Sequence, residues 1–434
     1  MKVKIESTRL VKPFYQDTTP LTTSDYVPLS VFDKATYDQH IAVIYAYNPP
    51  TQSNADIELG LRKALAAYRA WAGRIGEDSN GNLVVLLNDK GVRFVEASVD
   101  YPLDRTMLLK PSPFLLTLHP GVKDVSELVQ VQLTRFSCGS MVVGFTAHHR
   151  VADGHSSSNF LVAWGQATRG LMISPLPFDD RTIFPPRCPP EVKFQHRGAE
   201  YIPKNFKKTY PLIDHDTNDI VVHRVHYTAE FISKLKAKAS HNNKRYTTIE
   251  TLLAHLWRSI TRARGLNLSD TTKLRISVDG RSRLNPKVPN EYFGNLVLWA
   301  FVTTEVKYLL HEPLSYAARL LHEAIVKVND DYFKSFIDFA THEVKDDGEL
   351  VTNTESSSNP ILWPDLEVDS WLRFPFYDLD FGGGGPYIFM PSFSPVEGML
   401  FLLPSFLGDG GIEVFVPLFQ QSLETFKEIC YSLE

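Results

Sequence analysis

Cysteine is scarce in this sequence, and none of it is paired. Only Cys138, Cys188 and Cys430 occur in 434 residues, far apart and without a CxxC spacing. That excludes a disulfide scaffold and a cysteine-based zinc site, and it fits a reducing compartment. An excess of one charge is also missing. The 45 basic and 50 acidic residues leave a net charge of −5, which gives no electrostatic reason to expect nucleic acid or an anionic membrane as a partner. No apolar run reaches membrane-spanning length. The most apolar, GMLFLLPSFLG at 398–408, is short and interrupted by Pro404. The opening MKVKIESTRLV alternates charged and apolar side chains as a strand does, and lacks a signal-peptide core. Four residues follow Cys430, which does not make a prenylation box. These absences predict a cytoplasmic protein.

What is present is globular material. At 43% hydrophobic residues the chain can build a large core, so wholesale disorder is excluded. The length predicts two or three domains. Short apolar or alternating runs at 40–47, 82–87 and 92–97 read as strands. Residues 55–73 carry Ile57, Leu61, Leu65 and Tyr68 on one helical stripe, with Ser53 or Asn54 as cap and Gly73 as stop. Runs 128–136 and 140–148 flank a Cys138-Gly139 turn and predict a hairpin. A helix is expected over 158–170. Residues 174–219 hold eight prolines and little periodicity, and read as a crossover between domains. The expected organisation is therefore an N-terminal domain 1–173, a crossover 174–219 and a C-terminal domain 220–434. In the second half, Thr247 and Glu250 form a capping box for a helix that stops at Gly265. The polar stretch 345–360 reads as a mobile loop.

The segment GFTAHHRVADGHSSS (144–158) is the most informative for chemistry. His149 and Asp153 stand in an HxxxD spacing. Two other histidines, His215 and His342, share that spacing, so the spacing alone decides nothing. Their surroundings, IDHDTND and THEVKDDGE, are polar. His149 instead emerges from an apolar strand and precedes a glycine and a serine-rich helix start, where a side chain can be held at the rim of a core. His148 points to the opposite face of that strand by alternation and reads as a packed histidine. Two further segments stand out. VDGRSRL (278–284) places Asp279, Arg281 and Arg283 at a strand end, either a surface turn or a cation that anchors a buried carboxylate. WLRFPFYDLDFGGGGPYIFM (371–390) has four successive glycines, which permit a sharp turn or a close backbone approach. No Lys-Ser/Thr follows them, which argues against a phosphate-binding loop.

HHRVADG, VDGRSRL, YFGN (292–295) and YDLDFGGGGP together resemble the plant BAHD acyl-CoA-dependent acyltransferases, whose signatures are HxxxDG and DFGWG. PLSVFDK (28–34) and GGIEVFVPLF (410–419) extend the likeness over the whole chain. Gly383 stands where most members have tryptophan. VIYAYNPP, VAWGQATRG, EVDSWLRFPFYDLDFGGG and LLPSFLGDG are similar to the amine N-acyltransferases of cereals. The resemblance implies two similar-sized mixed α/β domains of the chloramphenicol-acetyltransferase type with a channel at their interface, and a monomer. It implies transfer of a hydroxycinnamoyl or benzoyl group from CoA to an amine such as agmatine or tryptamine. The alternative is O-acylation of an alcohol or shikimate-type acceptor. Acyl-CoA would be a substrate, with no permanently bound cofactor or metal.

His149 is expected to act as the base, without an acyl-enzyme. Asp153 would pair with Arg281 or Arg283 in a structural role, although an orienting role toward His149 also fits the spacing. Asp380 would organise the glycine loop. Gly154 and Asn295 are expected to be structural. Gly382, Gly383 and Gly384 are expected to line the acceptor side, with Glu367 and Asp369 as counter-charges for a cationic amine.

Overall fold

A computed structural model describes residues 2–15, 25–204, 219–240, 244–344, 349–353 and 361–433 of the chain. His215 lies outside them. So does most of the stretch 345–360, of which Leu350–Thr352 forms a short strand.

The chain divides into two compact units. The first comprises Met1–Pro189, Pro286–Leu296 and Arg373–Phe393, and the second comprises Pro190–Asn285, Val297–Leu372 and Ser394–Glu434. This corrects the linear division expected from composition. The crossover belongs to the first unit up to Pro189 and to the second beyond it. Two later excursions, carrying YFGN and the DFG-type motif, fold with the first unit and not with a continuous 220–434 domain. The physical cause is strand pairing: Ile388–Pro391 zips antiparallel onto His40–Tyr47, with Ile388 opposite Ala46. No local composition signals a pairing so distant in sequence.

The first unit is built on a six-stranded mixed sheet. Its order is Lys4–Val11, Val92–Val99, Val129–Phe136, Met141–His148, His40–Tyr47 and Ile388–Pro391. Only Val92–Val99 and Val129–Phe136 run parallel. The predicted hairpin closes as expected, and its turn places Gly139 at φ 85°. Helices Asn54–Ala67 and Gly154–Thr168 pack together, joined by the Trp164 indole N–H donating to the Ile57 carbonyl at 2.8 Å. Ser53, one of the two expected caps, accepts from the Asp56 amide. Trp71, Tyr68, Phe160 and Phe293 meet edge to face in the core beside them.

The second unit has its own six-stranded sheet, ordered Ile220–Tyr227, Ile412–Phe419, Met399–Pro404, Leu366–Ser370, Thr271–Asp279 and Val297–Glu305. Helix Thr248–Arg264 buries Leu252, Leu253, Leu256, Trp257 and Ile260. The capping box at Thr247 and Glu250 forms as predicted, and Gly265 adopts φ 63° as a left-handed C-cap. Arg264, in the last turn, makes a bidentate pair with Glu397 in which both side chains are fully buried. Both units are thus mixed α/β, as the sequence implied.

Candidate active site

Strand Met141–His148 runs antiparallel to His40–Tyr47, with His148 opposite His40. The chain then turns, and helix Gly154–Thr168 begins four residues earlier than its pattern predicted. The reason is Asp153, which caps it: one carboxylate oxygen accepts from the Ser156 amide at 2.8 Å. His149 sits at the crest of this turn, half-buried. Its Nδ1 lies 3.1 Å from the Thr36 hydroxyl, and the Tyr37 ring meets it edge-on at 5.9 Å. Its backbone amide donates to the Gln39 carbonyl at 2.8 Å. Nε2 makes no hydrogen bond to any described residue. A histidine tethered through one nitrogen and open at the other is equipped for proton transfer.

His148 is different, as alternation predicts. Its ring packs edge-on against His40 at 4.9 Å. Burial, reinforced by the neighbouring His40, Arg150 and His149, pushes its pKa down to about 3. Its 3.4 Å approach to Asp38 is therefore the contact of a neutral ring, while Arg150 supplies the charge that meets Asp38 at 3.1 Å.

No hydrogen bond or ion pair among the described residues joins His149 to Asp153. The second Asp153 oxygen accepts from the Leu296 amide at 3.0 Å. Asp153 thus ties a helix start to the YFGN segment. Ser156 reinforces the tie through the Tyr292 and Gly294 carbonyls. At Gly154 a Cβ would lie 2.8 Å from the Phe374 ring, so packing disfavours a larger residue there. In the second unit, Arg281 is 2% exposed and its Nη1 meets Asp279 at 3.0 Å. Arg283 Nη1 donates to the Ile325 and Val328 carbonyls.

The glycine loop is not where the sequence reading put it. Gly382, Gly383 and Gly384 are exposed and follow the Tyr47 end of the sheet, whereas His149 follows the His40 end. The eight residues of His40–Tyr47 span about 23 Å between those ends. One Asp380 oxygen accepts from the amides of Gly382 and Gly384 at 2.7 and 2.9 Å, and the other meets Arg169 at 3.4 Å. Gly382 and Gly384 have φ of 108° and 97°, so glycine is needed there for backbone reasons. A Cβ on Gly383 would lie 2.4 Å from the Pro50 carbonyl oxygen. The glycines fit a tight loop against residues 50–52 and do not line an acceptor pocket beside His149. Gly383→Trp should therefore cost about 1–3 kcal/mol of stability by overpacking. The acceptor KM should stay within about twofold of wild type, which thermal melts and steady-state kinetics would check. A large rise in acceptor KM would restore the original assignment.

Glu367 also departs from its expected role. It is 2% exposed and forms an ion pair with Arg275 on the neighbouring strand. Asp369, two residues on and half-buried, accepts from the Ser277 hydroxyl at 2.6 Å. Among the described residues no cluster of three or more His, Cys, Asp or Glu side chains could hold a metal ion. No helix among them is long and apolar enough to cross a membrane.

Sequence reasoning missed Thr36, Asp33 and Arg181. Thr36 is a lone threonine outside any motif. Asp33 stood in plain view three residues after Ser30, with which it makes a capping box, but such acids ordinarily face solvent. Arg181 lay in the proline-rich stretch read as linker.

Residues 1–433 match the family described as Transferase family. Agmatine coumaroyltransferase-1 of Hordeum vulgare is 50% identical, with both chains covered completely. Putrescine hydroxycinnamoyltransferase 3 of Oryza sativa subsp. japonica is likewise 50% identical over the full length of both. The crystal structure of vinorine synthase superposes with a TM-score of 0.73 at 24% identity, covering 98% of this chain and 96% of that one; at that identity it speaks for the fold. Fold and histidine turn together define a two-unit acyltransferase. The chain belongs to the Transferase family, the BAHD acyltransferases that its motifs resemble.

Proposed function

We propose that this enzyme transfers a hydroxycinnamoyl group from its CoA thioester to the primary amine of a small aliphatic di- or polyamine of the agmatine or putrescine kind. The observation that carries the reading is His149: Nδ1 held by Thr36, Nε2 without a hydrogen bond to any described residue, in a chain half identical to two enzymes named for such amines.

A thioester is already an activated electrophile, so the protein must mainly manage one proton. Nε2 takes it from the acceptor nitrogen as the N–C bond forms. The resulting imidazolium returns it to the CoA sulfur as the C–S bond breaks. Base catalysis of this kind supplies about 10²–10⁴-fold, and holding both substrates together supplies much of the rest. A primary alkylamine resembles lysine, with a pKa near 10.4, so roughly one molecule in 10³ is neutral at pH 7. Acceptor kcat/KM should therefore climb about tenfold per pH unit across the neutral range if only the neutral amine attacks.

The unpaired cysteines support a reducing, cytoplasmic setting; in this reading the enzyme is a monomer, acyl-CoA is a substrate and no cofactor is permanently bound. The test is a mass-spectrometric product screen of coumaroyl-, feruloyl- and benzoyl-CoA against agmatine, putrescine, tryptamine and shikimate. Amides of agmatine or putrescine are expected. Tryptamine amides alone would overturn the aliphatic assignment, and shikimate esters alone would overturn N-acylation.

A further inference from the structure

Behind the His149 turn lies a buried polar cluster that no part of the proton transfer uses directly. Asp33 is completely buried and surrounded by donors. Its Oδ2 accepts from the amide and hydroxyl of Ser30 at 2.8 and 2.7 Å and meets Arg181 Nη1 at 2.8 Å. Its Oδ1 accepts from the backbone amide and the side-chain amide of Asn295 at 2.9 and 2.8 Å. The cluster then reaches the turn at three successive carbonyls. Asn295 Nδ2 donates to the carbonyls of His149 at 3.0 Å and Arg150 at 3.2 Å. Arg181 Nη2 donates to the carbonyl of Val151 at 2.7 Å.

Asp33 has a second line to the same imidazole. It belongs to the short helix Val31–Lys34, and the chain leaving that helix carries Thr36, whose hydroxyl meets His149 Nδ1. One carboxylate therefore fixes both the backbone beneath the ring and the side chain that holds it. A buried charge is expensive unless paired. Plain stability would be served more simply by apolar residues of the same size, so the choice of an ion pair here calls for a geometric purpose.

We propose that Asp33, Arg181 and Asn295 are positioning residues that set the orientation of the His149 ring through its backbone carbonyl and through Thr36. The proposal rests on His149 being the base. Proton transfer needs the reacting atoms within hydrogen-bond reach, and a misplacement of about 1 Å can cost about 10²-fold in rate.

The test uses the full-length enzyme and three variants of the cluster, with His149→Ala alongside. Asn295→Ala removes a neutral amide and leaves the ion pair whole. Arg181→Lys keeps the charge and loses the fork that reaches Val151, and Arg181→Met loses both. Asn295→Ala should lower kcat about 10²-fold while leaving KM for acyl-CoA and for the amine within about twofold. Arg181→Lys should recover at least about tenfold of the kcat lost in Arg181→Met. Activity is measured per folded enzyme, below each variant's melting temperature. Wild-type kcat in Asn295→Ala with a lowered melting temperature would overturn the proposal, because the cluster would then serve stability alone. Failure of both Asn295→Ala and Arg181→Lys to fold would overturn it for the same reason. If His149→Ala itself keeps wild-type turnover, the reading of the base has failed; if only the cluster variants do, the positioning role has.

Discussion

His149→Ala should lose at least about 10³-fold in kcat, while the protein still folds and binds acyl-CoA. The general-base term alone is worth about 10²–10⁴-fold, and the imidazole here also returns the proton to the leaving sulfur. Stability should change little, because the ring is half-buried and its one hydrogen bond among the described residues runs to a threonine hydroxyl. Steady-state kinetics with both substrates varied, and titration of CoA binding, check both halves of the expectation. His342→Ala is the matched control: it shares the spacing but stands exposed at the end of helix Asp330–His342, and should be silent. His148→Ala should behave differently again. That ring is packed against His40 with its Nδ1 buried and without a hydrogen-bond partner among the described residues, so its loss should cost stability by packing, with catalysis affected only through the strand. Wild-type turnover in His149→Ala would end the mechanism.

The largest stability effect is expected in the second unit, at Arg264→Met. Both partners of the Arg264–Glu397 pair are fully buried, and the guanidinium also donates to the Pro364 and Asp365 carbonyls. Removing it strands a carboxylate in the core, at a cost of about 3–5 kcal/mol, or about 10 °C in melting temperature for a unit of this size. Burial already pushes the Glu397 carboxyl up, and Arg264 is the main force holding it down. Without Arg264 its folded pKa must rise further above the unfolded value. A raised carboxyl is most at home in the folded state when protonated, so that contribution is present below the unfolded pKa and is lost as pH rises through the folded one. The deficit of Arg264→Met should therefore be smaller at pH 5 than at pH 8, which thermal melts at the two pH values would show. The double variant Arg264→Met/Glu397→Leu should recover most of the loss, since no charge is left unpaired. A deficit independent of pH, with no recovery in the double variant, would mean that the arginine acts through packing alone.

Local elements were legible because their signals are local. The strand 220–227, the Thr247–Glu250 box and the Gly265 cap all follow from neighbours within a few residues. His149 was legible for a related reason: an apolar strand ending in a polar turn marks a rim. The helix after it was read late, because Ser156, Ser157 and Ser158 disfavour a helical interior while Asp153 makes them a helical beginning. The glycine loop misled because a motif's position in sequence says nothing about which end of a sheet it reaches; that depends on the register of Ile388–Pro391 against His40–Tyr47. Glu367 misled because its partner Arg275 lies on another strand, 92 residues away. Asp33 and Arg181 were hidden for the same reason, since each becomes unusual only when the other is placed beside it.

The first unit is assembled from three separate stretches of chain, and this limits how such enzymes can be recombined. Cutting after Pro189 yields a fragment that keeps His149, Asp153, Asp33 and Arg181. It lacks Asn295, which holds the His149 carbonyl, and the strand Ile388–Pro391, which seals the edge at His40–Tyr47. A chimera with a single junction at that point would thus draw its base from one parent and the brace beneath that base from the other. Exchanging the halves of two relatives at one breakpoint therefore does not transplant a self-sufficient catalytic module. An intact transplant takes five junctions, one at each passage of the chain between the units, unless both parents carry interchangeable residues at 286–296 and 373–393.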